Sequence, residues 1–222
     1  MRISALCVAF LLSAHSALAA DSPDLAPLKH WLARQGDIRS VQADFVQTRS
    51  FHALRDPLAS PGHLWLSAPH FFRWELGNPA KTVVLRRGDS AYLIQPTKQR
   101  AERLDTASLG KPGGSNPLPM MDFPMAKSFE DFNRQFEVQA LTVTGTRCHV
   151  ELQPRDPQAA KFLAALHLDF DTETGYLLSF EARTREGSSL RNEFSNVRLN
   201  AKIDPHVFDF DPTGYEVVDA KK

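Results

Sequence analysis

The chain contains 222 residues, and its 26 Lys and Arg residues are balanced by 26 Asp and Glu residues. This neutral balance, with no long run of one charge, argues against nucleic acid or another polyanion as the partner. Only two cysteines occur, Cys7 and Cys148. Because Cys7 falls in the leader described next, an internal disulfide is excluded from the mature chain.

Residues 1–19 have the pattern of a cleavable secretory signal. Arg2 is followed by a short apolar run and then by small residues, with an Ala-x-Ala site ending at Ala19. The apolar run is about half of the roughly 20 residues that span a bilayer, which argues against a retained anchor. Cys7 lies inside this run, which argues against a lipid-modified N-terminus. We therefore expect cleavage after Ala19 and one domain at 20–222 outside the cytoplasm.

One helix is predicted at the start of this domain. Asp24 can cap it, and Pro27 falls in its first turn, where a missing N–H is tolerated. Gly36 is expected to end the helix. Three leucines share one face of it: Leu25, Leu28 and Leu32.

Beyond this helix, apolar residues recur at every second position, which indicates β-strands. In the first half these residues are Val41, Ala43, Phe45, Phe72, Trp74, Leu76, Val83, Leu85 and Leu93. In the second half they are Cys148, Val150, Leu152, Leu166, Leu168, Phe170, Tyr176, Leu178, Phe180, Phe194, Val197 and Leu199. Gly-, Pro- and Asn-containing turns separate the runs. We therefore predict an α+β, mostly β fold built on a strongly curved antiparallel sheet.

The segment 106–127 departs from this pattern. It is rich in Pro, Gly and Ser, and a short helix capped by Ser128 is predicted directly after it. The segment also holds large apolar residues, which a linker would not need: Leu118, Met120, Met121, Phe123 and Met125. Flexible methionines suit surfaces that repack around varied ligands, so we expect a lid that lies over something apolar.

The order of these elements resembles a known protein family. Val41-Gln42-Ala43-Asp44-Phe45 is followed by Gly62-His63-Leu64-Trp65-Leu66, and then by Ala68-Pro69-His70-Phe71-Phe72-Arg73-Trp74. The chain closes with Phe208-Asp209-Phe210-Asp211-Pro212-Thr213-Gly214. In this order the motifs resemble the LolA family of periplasmic lipoprotein carriers over essentially the whole mature chain. The Pro-x-x-Phe-x-Trp element is the most specific of them.

The resemblance implies an incomplete antiparallel β-barrel with a helical and loop lid over an apolar cavity. In that family the cavity takes the acyl chains of a lipoprotein, so a periplasmic, monomeric carrier of acylated lipoprotein or lipid cargo is expected here. The resemblance further implies an ABC-type release complex in the inner membrane and a receptor in the outer membrane as partners. An alternative is a LolA-like carrier of another lipid or a glycolipid in envelope export.

The chain departs from the family pattern at Ala68. Family members typically carry a basic residue there, which helps to hold the lid shut. Arg73 is basic, but strand alternation is expected to place it on the outer face, away from Phe72 and Trp74. A looser lid and easier cargo exchange are therefore expected.

Signals for catalysis are poor, although an esterase acting on envelope lipids is a further alternative. Gly88-Asp89-Ser90 resembles the nucleophile block of one esterase class, but it coincides with a predicted hairpin turn. Cys148 and His149 are neighbours on a strand and point to opposite faces, so they cannot form a nucleophile–base pair. We expect no enzyme activity, no catalytic residue, no metal site and no cofactor.

Candidate lipid-binding residues are the inward-facing apolar residues of the strands and those of the expected lid. They are Phe45, Leu64, Phe72, Trp74, Leu85, Leu93, Leu118, Met120, Met121, Phe123, Met125, Leu168 and Phe180. For the strand residues the alternative is ordinary core, because alternation in a half-buried sheet predicts an apolar face in either case.

Overall fold

The computed structural model describes residues 23–105 and 128–220. The first part contains helix α1 and six strands: α1 Ala26–Gln35, β1 Ser40–Ser50, β2 Leu58–Ser67, β3 Phe71–Leu76, β4 Thr82–Arg87, β5 Ser90–Gln95 and β6 Arg100–Leu104. The second part contains two helices and six strands: α2 Phe129–Gln135, β7 Phe136–Thr144, β8 Arg147–Pro154, α3 Pro157–Phe162, β9 Leu163–Asp171, β10 Leu177–Thr184, β11 Ser189–Leu199 and β12 Glu216–Asp219. Short 3-10 helices occupy Pro96–Lys98 and Pro205–Phe208.

The strands form one 12-stranded sheet in the order β12-β6-β5-β4-β3-β2-β1-β11-β10-β9-β8-β7. Neighbouring strands are antiparallel except β12 and β6, which are parallel. The outermost strands, β12 and β7, are not paired with each other, so the sheet of the described residues does not close. This confirms the predicted fold class, a mostly β fold with an incomplete antiparallel barrel. No helix in the described ranges is long and apolar enough to cross a membrane.

Helix α1 lies where the sequence predicts a helix and packs on one face of the sheet, which we call the inner face. Its buried side chains are Leu28, Trp31 and Leu32. The Trp31 indole N–H donates a hydrogen bond to the carbonyl of Gly175 at 3.0 Å. The Arg34 guanidinium donates to the carbonyl of Glu173 at 2.9 Å. These bonds fix α1 against the turn between β9 and β10.

The N-terminus of α1 differs from the prediction. The cap position is Leu25, and no side chain caps the helix there. The Asp24 carboxylate instead accepts a hydrogen bond from the backbone N–H of Ala26 at 2.9 Å. The helix predicted after Ser128 is present as α2, and the Ser128 hydroxyl accepts a hydrogen bond from the N–H of Asp131 at 3.1 Å, as a capping serine should.

Candidate lipid-binding site

Apolar side chains of the inner face form two clusters. The first, the helix-packed cluster, joins α1 and α2 to strands β8 to β10. It consists of Leu28, Trp31, Leu32, Phe132, Cys148, Val150, Leu152, Leu166, Leu168, Phe170 and Phe180. The second, the aromatic cluster, lies on β1 to β4; it consists of Phe45, Phe72, Trp74 and Val84, with Leu64, Leu66, Leu76, Leu93 and Phe194 partly buried against it. Phe194 packs against both clusters, so the apolar surface is continuous.

The centre of the aromatic cluster is a stack of Phe45 on Trp74. Their ring centroids are 3.8 Å apart, with an interplanar angle of 30°. Phe194 lies 6.2 Å from Phe45 and 6.4 Å from Trp74, measured between centroids. Such aromatic pairs contribute about 0.5–1.5 kcal/mol each beyond the area that they bury. The stack and its contacts with Phe194 therefore stabilise the packing of this part of the inner face.

Gly62 makes room for this stack. It lies directly opposite Phe45 in the β1–β2 register. A Cβ atom at Gly62 would overlap with the Phe45 ring and with the backbone carbonyl of Glu75. Only glycine fits at this position, which gives a physical reason for the glycine of the Gly62-His63-Leu64 motif.

The two clusters differ in what covers them. The helix-packed cluster is enclosed by α1 and α2, whereas no helical side chain from the described parts of the chain belongs to the aromatic cluster. Five side chains at the aromatic cluster are only partly buried. They are Leu64, Leu66, Leu76, Leu93 and Phe194.

Five of the predicted site residues come together in the aromatic cluster: Phe45, Leu64, Phe72, Trp74 and Leu93. Leu168 and Phe180 lie in the helix-packed cluster, where α1 and α2 pack over the strands. The predicted lid residues Leu118, Met120, Met121, Phe123 and Met125 lie outside the described residues, as does the leader.

The expected position of Leu85 on the inner face is wrong. In the β3–β4 register Trp74 is opposite Val84, and Leu85 is opposite Arg73. Leu85 therefore lies on the outer face, in a third cluster covered by the C-terminal segment and built on Val83, Leu85, Ile94, Ala101 and Phe208. Val83, Val84 and Leu85 are all buried. Because this strand is apolar on both faces, alternation could not show which residues point inward.

Arg73 lies on the outer face, as strand alternation predicts. Its guanidinium pairs with Glu75 at 2.6 Å and donates a hydrogen bond to the carbonyl of Val207 at 3.0 Å. These contacts place Arg73 against the C-terminal segment next to Phe208, which is buried.

The inner face also holds a polar pair that the sequence did not predict. Gln47 and Asn192 are buried, and the Gln47 side-chain N–H donates to the Asn192 side-chain carbonyl at 3.1 Å. Each lies two residues along its strand from a ring of the inner face, Phe45 and Phe194 respectively, so alternation places both on that face. A buried amide needs such a partner, and only the β1–β11 register reveals it.

The outer face of β8 to β11 carries a hydrogen-bonded network of charged side chains. The Asp169 carboxylate contacts His149 Nδ1 at 2.8 Å and accepts a hydrogen bond from the Ser179 hydroxyl at 2.7 Å. Burial alone would raise the pKa of Asp169, but these two bonds together with the positive charges of His149 and Arg147 outweigh burial and lower that pKa. Since the Ser179 hydroxyl donates to a carboxylate rather than to an imidazole, the network lacks the arrangement of an activated serine nucleophile.

Cys148 is fully buried in the helix-packed cluster. Burial, with a smaller contribution from the charge of Asp169, raises the pKa of its thiol to about 11. A thiol that stays protonated and inaccessible is a packing residue rather than a nucleophile. Among the described residues, no group of three or more His, Cys, Asp and Glu side chains is arranged to hold a metal ion.

Comparison with known proteins places the chain in a family. The family described as "Outer membrane lipoprotein carrier protein LolA" matches residues 36–211. The chain belongs to the LolA family. The matched range runs from β1 through β11 and therefore includes all strands of both inner-face clusters. The family is one of carriers rather than of known enzymes.

Individual relatives agree with this assignment. Outer-membrane lipoprotein carrier proteins of Methylococcus capsulatus and Chromohalobacter salexigens are each 26% identical over 184 residues, which is 82% of this chain and 83% and 81% of theirs. Among solved structures, an uncharacterized conserved protein from Thermus thermophilus superposes with a TM-score of 0.52 at 10% identity, covering 85% of this chain and 95% of that one. That likeness supports the fold of the LolA-family domain.

Proposed function

We propose that this protein is a periplasmic carrier that binds the acyl chains of lipoproteins on the inner face of its half-barrel. It would move them from the inner to the outer membrane. One observation carries this proposal. The aromatic cluster presents a continuous apolar surface with five partly buried side chains and no helix of the described residues over it.

The physical need for a carrier follows from the cargo. Each buried methylene contributes roughly 0.8 kcal/mol, so an acyl chain of about 15 carbons is held in a membrane by roughly 12 kcal/mol. A molecule with two or three such chains does not cross water unaided at a useful rate. The aromatic cluster offers acyl chains an apolar surface that is already formed by the fold.

The same proposal includes partners and processing. Loading by an ABC-type release complex of the inner membrane and unloading at an outer-membrane receptor would complete the transfer. Export requires cleavage after Ala19, and N-terminal sequencing of the periplasmic form tests it. A mature chain that still begins at Met1 would contradict the export argument.

Paired leucine substitutions test the site. Leu64→Gln with Leu93→Gln places two polar side chains on the aromatic cluster, and we expect affinity for a fluorescent fatty acid to fall by about tenfold or more, equivalent to about 1.4 kcal/mol. The matched control is Leu141→Gln with Leu177→Gln, since these leucines are also partly buried but pack against the helix-packed cluster. Equal losses of affinity in the two double variants would contradict the proposed site.

A second candidate keeps the site and changes the cargo to another lipid or a glycolipid. It is favoured by Ala68, which stands where family members typically carry a basic residue. Mass spectrometry of lipid that copurifies with the protein distinguishes the two cargoes. Incubation of the same preparation with a short-chain ester separates both from the esterase alternative, because a carrier binds stoichiometrically without turnover.

A further inference from the structure

Large apolar side chains are exposed at one end of the sheet, away from the inner-face clusters. Among the described residues seven large hydrophobic side chains are exposed, and four of them belong to this end: Phe51, Leu54, Leu58 and Phe162. Phe162 is 74% exposed, and the other three are between 41% and 53% exposed. Single exposed hydrophobic residues scattered over a surface need no explanation, but four of them at one end of the sheet do.

The strand registers show that these residues share one end. β1 ends where Ser50 is opposite Ser189, and Arg49 is opposite Leu58 at the start of β2. β10 ends where Thr184 is opposite Leu163 at the start of β9. The loop 51–57, the turn 185–188 and the end of α3 therefore lie together, and we call them, with Leu58, the rim.

Hydrogen bonds connect the three parts of the rim. The backbone N–H of His52 donates to the Ser188 hydroxyl at 3.3 Å. The backbone N–H of Arg185 donates to the carbonyl of Phe162 at 3.0 Å. The turn thus joins the loop that carries Phe51 and Leu54 to the helix end that carries Phe162, and Leu58 follows that loop at the start of β2.

The rim and the residues that flank it in the chain are more basic than the chain as a whole. Residues 49–58, 155–162 and 184–188 contain five basic side chains, Arg49, Arg55, Arg155, Lys161 and Arg185, and three acidic ones, Asp56, Asp156 and Glu186. The whole chain has a formal net charge of zero. Within the described ranges Arg49, Arg55 and Lys161 take part in no ion pair. These cations therefore remain available to an anionic partner.

We propose that the rim docks on the surface of an anionic lipid bilayer. Apolar side chains on projecting loops can enter the boundary between headgroups and acyl chains, while neighbouring Arg and Lys side chains meet lipid phosphates. An acidic protein would satisfy the charges, but it would leave the exposed apolar side chains of the rim without an apolar environment. Docking does not depend on the cargo, and it would bring the protein to a membrane wherever cargo is exchanged.

Vesicle co-sedimentation tests this inference. The protein is expressed from the full-length chain, recovered from the soluble fraction and characterised at its N-terminus. It is then mixed with vesicles of phosphatidylethanolamine and phosphatidylglycerol, or of phosphatidylcholine alone. We expect binding to the anionic vesicles, weakened by salt, and about tenfold weaker binding when Leu54→Ser and Phe162→Ser are combined.

The matched control is Val46→Ser with Val143→Ser, since these valines are also exposed, at 44% and 46%, but lie on strands away from the rim. This control should bind vesicles as the parent protein does. The Leu64→Gln and Leu93→Gln variant should also still bind vesicles, so loss of cargo affinity and loss of docking are separate results.

Three outcomes would overturn the inference. The parent protein could show no preference for anionic over phosphatidylcholine vesicles. The rim variant could bind as well as the control. The rim substitutions could instead dissociate a dimer seen by analytical ultracentrifugation, which would make the rim an interface between two copies of the chain.

Discussion

The inner face of the sheet consists of two regions built by the same alternating strand pattern but packed differently. In the helix-packed cluster, side chains of α1 and α2 fit against β8 to β10, and residues such as Leu168 and Phe170 are fully buried. In the aromatic cluster, four leucines and Phe194 stay partly buried. From this difference we predict a division of roles, in which the helix-packed cluster determines stability and the aromatic cluster determines ligand affinity.

The largest effect is expected from Trp31→Ala in the helix-packed cluster. Trp31 is 2% exposed and stacks on Phe170 with ring centroids 4.6 Å apart. Its loss removes that packing and the bond to Gly175, so the free energy of unfolding should fall by about 3–5 kcal/mol in urea titrations. Affinity for a fluorescent fatty acid, measured where the variant is folded, should change little. A small stability loss with a large affinity loss would reverse the proposed division.

Gly62→Ala tests the aromatic cluster with a single methyl group. Because the new Cβ would overlap with the Phe45 ring and the Glu75 carbonyl, the strand or the ring must shift, at a cost of about 1–3 kcal/mol. The shift should also weaken fatty-acid binding. Gly36→Ala is the control, since its Cβ would meet its nearest neighbour, the Ala33 carbonyl, at 3.5 Å. Similar thermal unfolding of both variants would show that the close approach at Gly62 is not required.

Loss of the buried hydrogen bond between Gln47 and Asn192 should lower the free energy of unfolding by a similar or smaller amount. Gln47→Leu keeps the side chain buried but removes its hydrogen bond to the Asn192 side-chain carbonyl, and such a bond contributes about 0.5–1.5 kcal/mol to the free energy of unfolding. Denaturant unfolding measures this loss. A Gln47→Glu variant should be destabilised as well, since it brings a carboxylate to the amide carbonyl. If Gln47→Leu were as stable as the parent, the hydrogen bond would contribute nothing to the join between β1 and β11.

The smallest effect concerns the reactivity of Cys148 in protein that lacks the leader. The buried thiol has a pKa of about 11, so it is protonated at pH 8 and should react with a disulfide reagent only when the helix-packed cluster opens. Saturation of the aromatic cluster with fatty acid should slow this labelling by less than twofold to threefold, if the two regions are energetically separate. Strong protection by the ligand would show that they open together.

The sequence predicted those parts of the fold in which one apolar face alternates with a polar one. Phe45, Phe72 and Trp74 were correctly assigned to the inner face because polar or charged residues stand between or beside them. The strand at 82–87 failed this test, since the outer cluster buries Leu85 as deeply as the inner face buries Val84. Alternation cannot show which residues point inward when both faces of a strand are covered.

Other elements were missed for two different reasons. The short helix α3 has a local start signal that was not used, because Asp156 precedes Pro157 and its carboxylate accepts hydrogen bonds from the N–H groups of Gln158 and Ala159. β12 pairs in parallel with β6, more than 100 residues earlier in the chain, which no local pattern indicates. The division of the inner-face residues between a helix-packed cluster and a candidate site depends equally on which strands α1 and α2 cover. The packing of the two helices, and not the residue pattern of the strands, decides which strands are covered.

The central position of β1 has a consequence for how the chain folds. Strands β1 to β6 join in sequence order, and so do β7 to β11, but the two series meet only where β1 pairs with β11, for example Val41 with Leu199. The hydrogen bonds in the middle of the sheet therefore connect residues far apart in sequence, and such contacts are slow to form. Until β11 has been made and has arrived, β1 is an unpaired edge that can join another chain. An interrupted chain that stops in the turn before β11 should therefore aggregate through β1 even though its first six strands can pair.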